Sequence, residues 1–484
     1  MATVVDQAGS GERDAAGRVI ARLERIDVWS LSFLYIGIIG LGFLFTFYDI
    51  FDINVSFIQT CVELKSGCNP ENALTALRVP IVLNLLGYVI GTLALSPVAD
   101  RIGRRNMLMI TMLITGVGAL WTALAGDYTQ FVLARVVTGV GVGADLAIVN
   151  TYIGEVAPTH ARAKFTSVIF LMSSVGAFLG VWVGLVLTTE PEPWPEGLSW
   201  AQAGPGFTDG WRWTYAVGAL LALVAILLRV ELPESPRWLL TRGRVDEADA
   251  VVREMEQRAE RRGGPLRDPG PPAALDPAPA GGAYGELLGS RVYLRRIAIL
   301  LTMWFLAYVT VYAFSAGGTS LFTALGYKPP EAGLIVAMGV IGFVVAGVLS
   351  PLVAERLERK VWLAVCSAVT LAGGVLVGLV GDASTGVAFV GAGIVFFGFN
   401  LWVPMAYAWS AENFPTRART TGFALVDGIG HLGGGIGVLV IAPYIEDMGA
   451  LLALIVIAGF LCAAAAVAQA GVATRGRTLD EVSG

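Results

Sequence analysis

Val98-Ala99-Asp100-Arg101-Ile102-Gly103-Arg104-Arg105 returns, altered but recognisable, as Val353-Ala354-Glu355-Arg356-Leu357-Glu358-Arg359-Lys360. Glu155-Val156-Ala157-Pro158-Thr159-His160-Ala161-Arg162 returns as Glu412-Asn413-Phe414-Pro415-Thr416-Arg417-Ala418-Arg419. The offsets, 255 and 257 residues, nearly coincide. Two unrelated motifs seldom recur at one spacing by chance, so the chain reads as two related halves.

Around these charged motifs the chain is apolar. Of 484 residues, 55% are hydrophobic, 15% are charged and 60 are glycine, and the mean hydropathy is +0.68. A soluble chain of this size needs far more charge to clothe its surface. Soluble enzymes and nucleic-acid binders are thereby excluded, and the net charge of −5 adds little. About twelve stretches approach the length of ~20 residues that crosses a bilayer. They lie near 30–58, 79–99, 106–126, 129–155, 164–188, 211–230, 293–323, 331–354, 360–380, 386–411, 420–444 and 448–472. Six fall in each half, as in a pseudo-twofold transporter with its site at the midplane between repeats.

Charge placement sets the sidedness. Lys65, Arg78, Arg212 and Lys328 fall on one side, Arg135 lies within a span, and nearly all other basic residues fall on the opposite side. Lys- and Arg-rich loops stay cytoplasmic. Both termini and the 231–292 loop are therefore expected in the cytoplasm, with Glu190, Glu192, Asp382 and Glu446 outside. The first 25 residues carry acids and arginines without an apolar core, so no cleaved signal peptide is expected. Cys61 and Cys68 share an outside loop, paired or free, whereas Cys366 and Cys462 read as membrane-buried. The expected organisation is a cytoplasmic N-terminus (1–28), a first bundle (29–230), a linker (231–292), a second bundle (293–472) and a cytoplasmic tail (473–484). Within the linker, 244–263 reads as a surface helix and the Pro/Gly/Ala-rich 264–282 as mobile.

With these residues in view, the chain resembles the major facilitator superfamily along its whole length. Asp100-Arg101-x-Gly103-Arg104-Arg105 is similar to the superfamily's signature between spans two and three, with Ser96 at a position where glycine is usual. Pro233-Glu234-Ser235-Pro236-Arg237-Trp238-Leu239-Leu240 resembles the motif that follows span six in sugar porters and organic ion transporters. The resemblance implies an all-α integral membrane fold, twelve transmembrane helices in two pseudo-symmetric six-helix bundles. Asp100, Arg101, Arg104, Arg105, Glu155 and Arg162 in one half, and Glu355, Arg356, Glu412, Arg417 and Arg419 in the other, sit at helix ends. There unlike charges can bridge neighbouring helices in one conformation and part in the next, as latches for alternating access. The competing reading is charge that merely fixes topology.

Charges inside the membrane are costly and are functional candidates by default. They are Asp49 and Asp52 in span one, Arg135 and Asp145 in span four, and Asp427 and His431 in span eleven. At 1.5 Å per residue, Asp49 lies roughly 6 Å, Asp52 roughly 10 Å and Arg135 roughly 10 Å outward of the midplane, and Asp145 roughly 4 Å inward. Asp52 and Arg135 share a depth and are expected to pair. Asp49 and Asp145 are left without an evident cation, as proton exchange near neutral pH requires. A water-lined mouth for Asp49 and helix packing for Asp145 are the alternatives. Asp427 and His431, at i and i+4, face the same way and are fit to sense or shuttle protons, or else to form one polar face of a cavity.

The branch is read from the aromatic residues. Phe45-Thr46-Phe47-Tyr48-Asp49 and the Gly139–Gly143 run ending in Asp145 resemble phosphate:proton symporters, though Thr46 stands where those carry an acid. Trp304, Tyr308 and Tyr312 recur at i, i+4 and i+8 in span seven, with Tyr308 where that family has Asp. His431 stands nineteen residues after Glu412, where phosphate symporters carry Lys, organic anion carriers Arg and organic cation carriers Asp. Trp304, Tyr308, Tyr312, Trp402, Tyr407 and His431 therefore suit an organic solute with a flat or apolar body, unless the rings only pack helices. Spans 164–188 and 293–323 contain no Gln, which argues against sugar. The Gly runs 139–143 and 433–437 lack nucleotide-loop spacing and read as close helix packing. No enzymatic nucleophile, cofactor or metal site is expected. The reading is a monomeric, proton-coupled plasma-membrane symporter that imports a small organic solute. A phosphate or other anion:proton symporter is the alternative within the class, and a non-transporting nutrient sensor the alternative outside it.

Overall fold

A computed structural model describes residues 14–158, 161–203, 206–272, 282–381, 384–415, 418–441, 444–477 and 481–482. Among these the regular structure is entirely helical, and twelve helices are long and apolar enough to cross a membrane. In hydrocarbon each backbone amide and carbonyl must be satisfied within its own segment, so apolar runs of this length close into helices. A short helix, α1 (14–24), precedes them. The first six spans are α2 (Phe33–Leu64), α3 (Ala73–Ile102), α4 (Arg104–Ala123), α5 (Tyr128–Val156), α6 (Arg162–Thr188) and α7 (Gly210–Arg229). The connecting segment holds α8 (Pro236–Thr241), α9 (Val245–Gly263) and α10 (Gly282–Gly289). Helix α9 agrees with the helix expected at 244–263; of the Pro/Gly/Ala-rich stretch, 273–281 lie outside the described residues.

The second half is built from α11 (Arg291–Ser315), α12 (Gly318–Ala324), α13 (Pro329–Val353), α14 (Arg359–Val380), α15 (Thr385–Leu401), α16 (Val403–Glu412), α17 (Arg419–Phe423), α18 (Leu432–Ile441) and α19 (Ile445–Ala468). Three of its spans are interrupted where the sequence reads as continuous. The stretch 293–323 breaks between α11 and α12, and Asn54 of α2 covers the break. Its Nδ2 donates to the carbonyls of Phe314 at 2.8 Å and Ser315 at 2.7 Å, while its Oδ1 accepts from the N–H and hydroxyl of Thr319 at 2.9 Å each. Span ten breaks at Trp402, beside Pro404, which can start a helix but cannot continue one. Span eleven contains a π-helical turn, Ala424–Gly428, between α17 and α18.

Close packing explains the glycine run in α5. A Cβ at Gly139 would collide with the Asn84 carbonyl of α3, one at Gly141 with Thr115 of α4, and one at Gly143 with the Tyr88 carbonyl of α3. The run presses α5 onto two helices at once, as small residues do in lipid. Gly103, between α3 and α4, is required for a different reason. Its φ of +104° is a left-handed backbone, and a Cβ there would strike the Glu234 carboxylate. Cys61 and Cys68 are disulfide-bonded across a Cα separation of 5.8 Å. Cys366 is buried and Cys462 half-buried, both as free thiols.

Helix α1 docks on α9. Val19, Ile20 and Leu23 are buried, Arg22 pairs with Asp249 and Glu256, and Arg25 Nη2 meets Glu256 Oε1 at 2.7 Å. Burial pushes Glu256 up, but hydrogen bonds from Arg22 and Arg25 outweigh it and hold the carboxyl below its ordinary 4.5.

Two outcomes are expected. Gly141→Ala should lower unfolding stability in detergent by about 1–3 kcal/mol, read as a shift in thermal melting. Because Glu256 is depressed in the folded state, its contribution is present above its ordinary pKa and lost as pH falls through the folded value. Acidification below pH 4.5 should therefore undock α1 and change Trp29 fluorescence, a transition that Arg22→Ala should displace to higher pH.

Candidate functional site

The repeated helix-end motifs form two matching charge clusters. In the first half Arg104 lies between Asp100, at 2.9 Å, and Glu155, at 3.2 Å. Ser235 donates its hydroxyl to the other oxygen of Glu155 at 2.5 Å. In the second half Arg359 lies between Glu355, at 2.8 Å, and Glu412, at 3.5 Å, and Thr474 donates its hydroxyl to Glu412 at 2.5 Å. Arg359, Ser235 and Thr474 were missed from sequence, although the 255-residue offset that pairs Asp100 with Glu355 also pairs Arg104 with Arg359. Arg101 and Arg356, expected among the latches, are exposed and make no ion pair among the described residues. Arg101 lies on the exposed side of α3, and Arg356 lies in the turn that follows α13.

Arg105 does not pair either. Its side chain donates to the Val230 carbonyl, and its N–H faces Glu234. Burial pushes Glu234 above the ordinary carboxylate range, against hydrogen bonds from the backbone of Ser235, Arg104 and Arg105. Arg162 and Arg419 are buried beside a narrow cleft that they share with Glu412 and Tyr407. Arg417 lies outside the described residues.

Deeper in, the expected pairing is partly redistributed. Arg135 bridges both acids of α2, with Nη1 3.0 Å from Asp49 Oδ1 and 3.6 Å from Asp52 Oδ1. Its other amine donates to the Asp49 carbonyl at 2.8 Å. Asp49 is thus not free of a cation, and it rather than Asp52 holds the direct hydrogen bond from the guanidinium. Among the described residues neither oxygen of Asp52 accepts a side-chain hydrogen bond. All three groups are essentially inaccessible.

Asp145 is not cation-free either. Arg229, the last residue of α7, turns its side chain inward past Gly42, and its Nη1 and Nη2 donate to Asp145 at 2.5 and 3.0 Å. Thr111 donates at 2.9 Å, so the carboxylate is fully satisfied. A residue at a span end reads as a surface charge in one dimension, which is why the pair is invisible in sequence.

Asp427 lies on the π-helical turn between the halves. Tyr88, from α3 of the first half, donates to its Oδ2 at 2.8 Å, and Tyr308, from α11 of the second, donates to its Oδ1 at 2.5 Å. The Tyr308 and Tyr407 hydroxyls are 2.9 Å apart. His431 Nδ1 is 2.8 Å from the Asp427 carbonyl, and its ring lies against Tyr88 and Tyr308 with centroids at 3.8 and 3.7 Å. Trp304 stacks on Tyr308 at 5.1 Å and packs on Trp402 and Tyr407 at 5.2 and 4.9 Å, while Tyr312 meets His431 edge-on at 5.8 Å. All six residues expected to line a solute site therefore share one cluster. Tyr88 was missed; its signal is that it is the one aromatic in the 79–99 span.

Contacts between halves close the cluster at both ends. On one face Asn54 clasps Thr319. On the other, Thr421 donates to Asp100 at 3.4 Å and the Lys164 N–H donates to Glu355 at 3.3 Å.

A model of the family described as sugar (and other) transporter matches residues 35–484. The niacin transporter of Acinetobacter baylyi is 24% identical over 477 residues, covering 96% of this chain and 99% of that protein. The D-xylose-proton symporter of Escherichia coli K12 is 29% identical over 219 residues, covering 42% and 43%. Among solved structures, a proton:xylose symporter bound to 6-bromo-6-deoxy-D-glucose is similar with a TM-score of 0.72 at 20% identity, over 93% of this chain and 98% of that one.

Removing Arg229 strands a buried carboxylate. Arg229→Met is expected to destabilise the fold by about 3–5 kcal/mol, and adding Asp145→Asn should recover part of the loss. Thermal melts of the single and double variants in detergent measure both.

Proposed function

The chain belongs to the sugar (and other) transporter family, and we propose that it works as a proton-coupled symporter of a small organic solute. The observation that carries this reading is the Asp49–Arg135–Asp52 group. Two carboxylates share one guanidinium, so the group holds one negative charge too many in a buried region, and among the described residues Asp52 receives no side-chain hydrogen bond to offset it. One proton cancels that charge. Its arrival also frees Arg135 to change partners, which is how protonation can bias one conformation over another. Proton symport in the names of the xylose carriers supports the same assignment. Asp145, neutralised by Arg229, is better read as a brace between α4, α5 and α7.

The solute is placed at the cluster of Trp304, Tyr308, Tyr312, Trp402, Tyr407 and His431 around Asp427, where both halves contribute side chains. An acid among aromatic rings speaks against inorganic phosphate, which needs positive charge. In this reading 29–230 and 293–472 move as two bodies, 231–292 links them, and the protein is a monomer. The clusters at Arg104 and Arg359 act as latches on the basic face. By the distribution of Lys and Arg, that face and both termini are cytoplasmic in the plasma membrane.

Asp49→Asn is expected to reduce accumulation driven by an imposed inward proton gradient in proteoliposomes at least tenfold, with unchanged protein recovery; undiminished accumulation would refute the coupling role. His431→Ala should raise the KM for solute or change its charge preference, read in the same vesicles.

A further inference from the structure

We propose that the solute is a small organic cation and that Asp427 receives its positive charge. This rests on the transport reading in one respect, that the cluster between the halves is the solute site.

The buried membrane acids differ in the cations they meet. Asp49 has Arg135 at 3.0 Å, Asp52 has the same guanidinium at 3.6 Å, and Asp145 has Arg229 at 2.5 Å. Asp427, with no accessible surface at all, has no Lys or Arg partner among the described residues. Its oxygens accept from Tyr88 and Tyr308. Phenols are neutral donors, so they solvate the charge without cancelling it.

His431 donates no direct hydrogen bond to the carboxylate. Its Nδ1 lies 3.7 Å from Asp427 Oδ2 and is committed to the Asp427 carbonyl at 2.8 Å. A carbonyl only accepts, so this nitrogen carries the hydrogen and the other ring nitrogen is left to accept in the neutral form.

The surroundings suit a cation in a second way. Tyr308, Tyr407 and Trp304 pack against one another beside the acid, with centroids 4.9–5.1 Å apart across the Trp304 contacts. Ring faces that a solute parted there would attract a cation, most strongly when water is excluded. An anionic solute would face an uncancelled carboxylate, and a neutral polyol would leave the charge buried and unbalanced. A cation would instead draw on Tyr88 of one half and Asp427 of the other together. Its binding would then favour the closed arrangement over the open one, which is the differential affinity that alternating access needs.

The test is equilibrium binding to the full-length protein in detergent at pH 7.5 without any gradient, by calorimetry. The probes are N-methylpyridinium, tetraethylammonium, nicotinate and D-xylose. At least one fixed cation should bind in preference to nicotinate and xylose, lose tenfold or more in affinity in Asp427→Asn, and keep its affinity within a few-fold in Asp427→Glu. Preference for nicotinate or xylose, binding of neither cation, or cation affinity unchanged by Asp427→Asn overturns the proposal. If Asp427→Asn cannot be purified, the wild-type preference among the four probes decides. Gradient-driven uptake is measured separately. Cation binding without flux would refute the transport reading alone, and proton-driven flux of an uncharged or anionic solute would refute this inference alone.

Discussion

A charge in hydrocarbon must be compensated, and that constraint organises this molecule. Transfer of an unpaired carboxylate from water into an apolar medium is so unfavourable that the fold has to supply a cation, hydrogen bonds or a proton. Each buried acid here meets the requirement differently. Asp145 is completely satisfied by Arg229 and Thr111. Asp49 and Asp52 divide a single guanidinium. Asp427 accepts from two phenols and has no Lys or Arg partner among the described residues. Ranked this way, the acids pass from fully compensated to partly compensated, and Asp52 and Asp427 are the two on which the proposed roles rest.

The same constraint explains where the helices break. A membrane helix can interrupt its ladder only where another group takes up the freed carbonyls. Asn54 does this for Phe314 and Ser315, and because it reaches across from the other half, the repair of one helix is also a contact between bundles. Asn54 lies on α2, two residues from Asp52, so the Asp49–Arg135–Asp52 group and the clasp share one helix. The π-helical turn at 424–428 likewise carries Asp427, so that the departure from regular helix falls at the acid.

Much of this was legible in one dimension. The repeat offset, the spacing of apolar runs and the basic loops identify two six-helix halves, because lipid imposes the same length and hydrogen-bonding rule on every span. The i, i+4, i+8 ladder of Trp304, Tyr308 and Tyr312 and the i, i+4 pair Asp427 and His431 were read correctly as facing common neighbours, since a helix's periodicity is local. What failed was partner choice. Arg104 and Arg359 hold the helix-end ion pairs where Arg101 and Arg356 do not, and Arg229 reaches Asp145 from a span end.

Sequence alone therefore determined that the chain spans the membrane as two related bundles of six helices. This follows from the rise and period of a helix and from the cost of exposing polar backbone to lipid. Tertiary structure decided which acid meets which base, because a long arginine can move its charge several ångströms along or across a bundle. It also decided that Tyr88 of one half closes on Asp427 of the other. That contact depends on how two bodies dock, and no local periodicity encodes it.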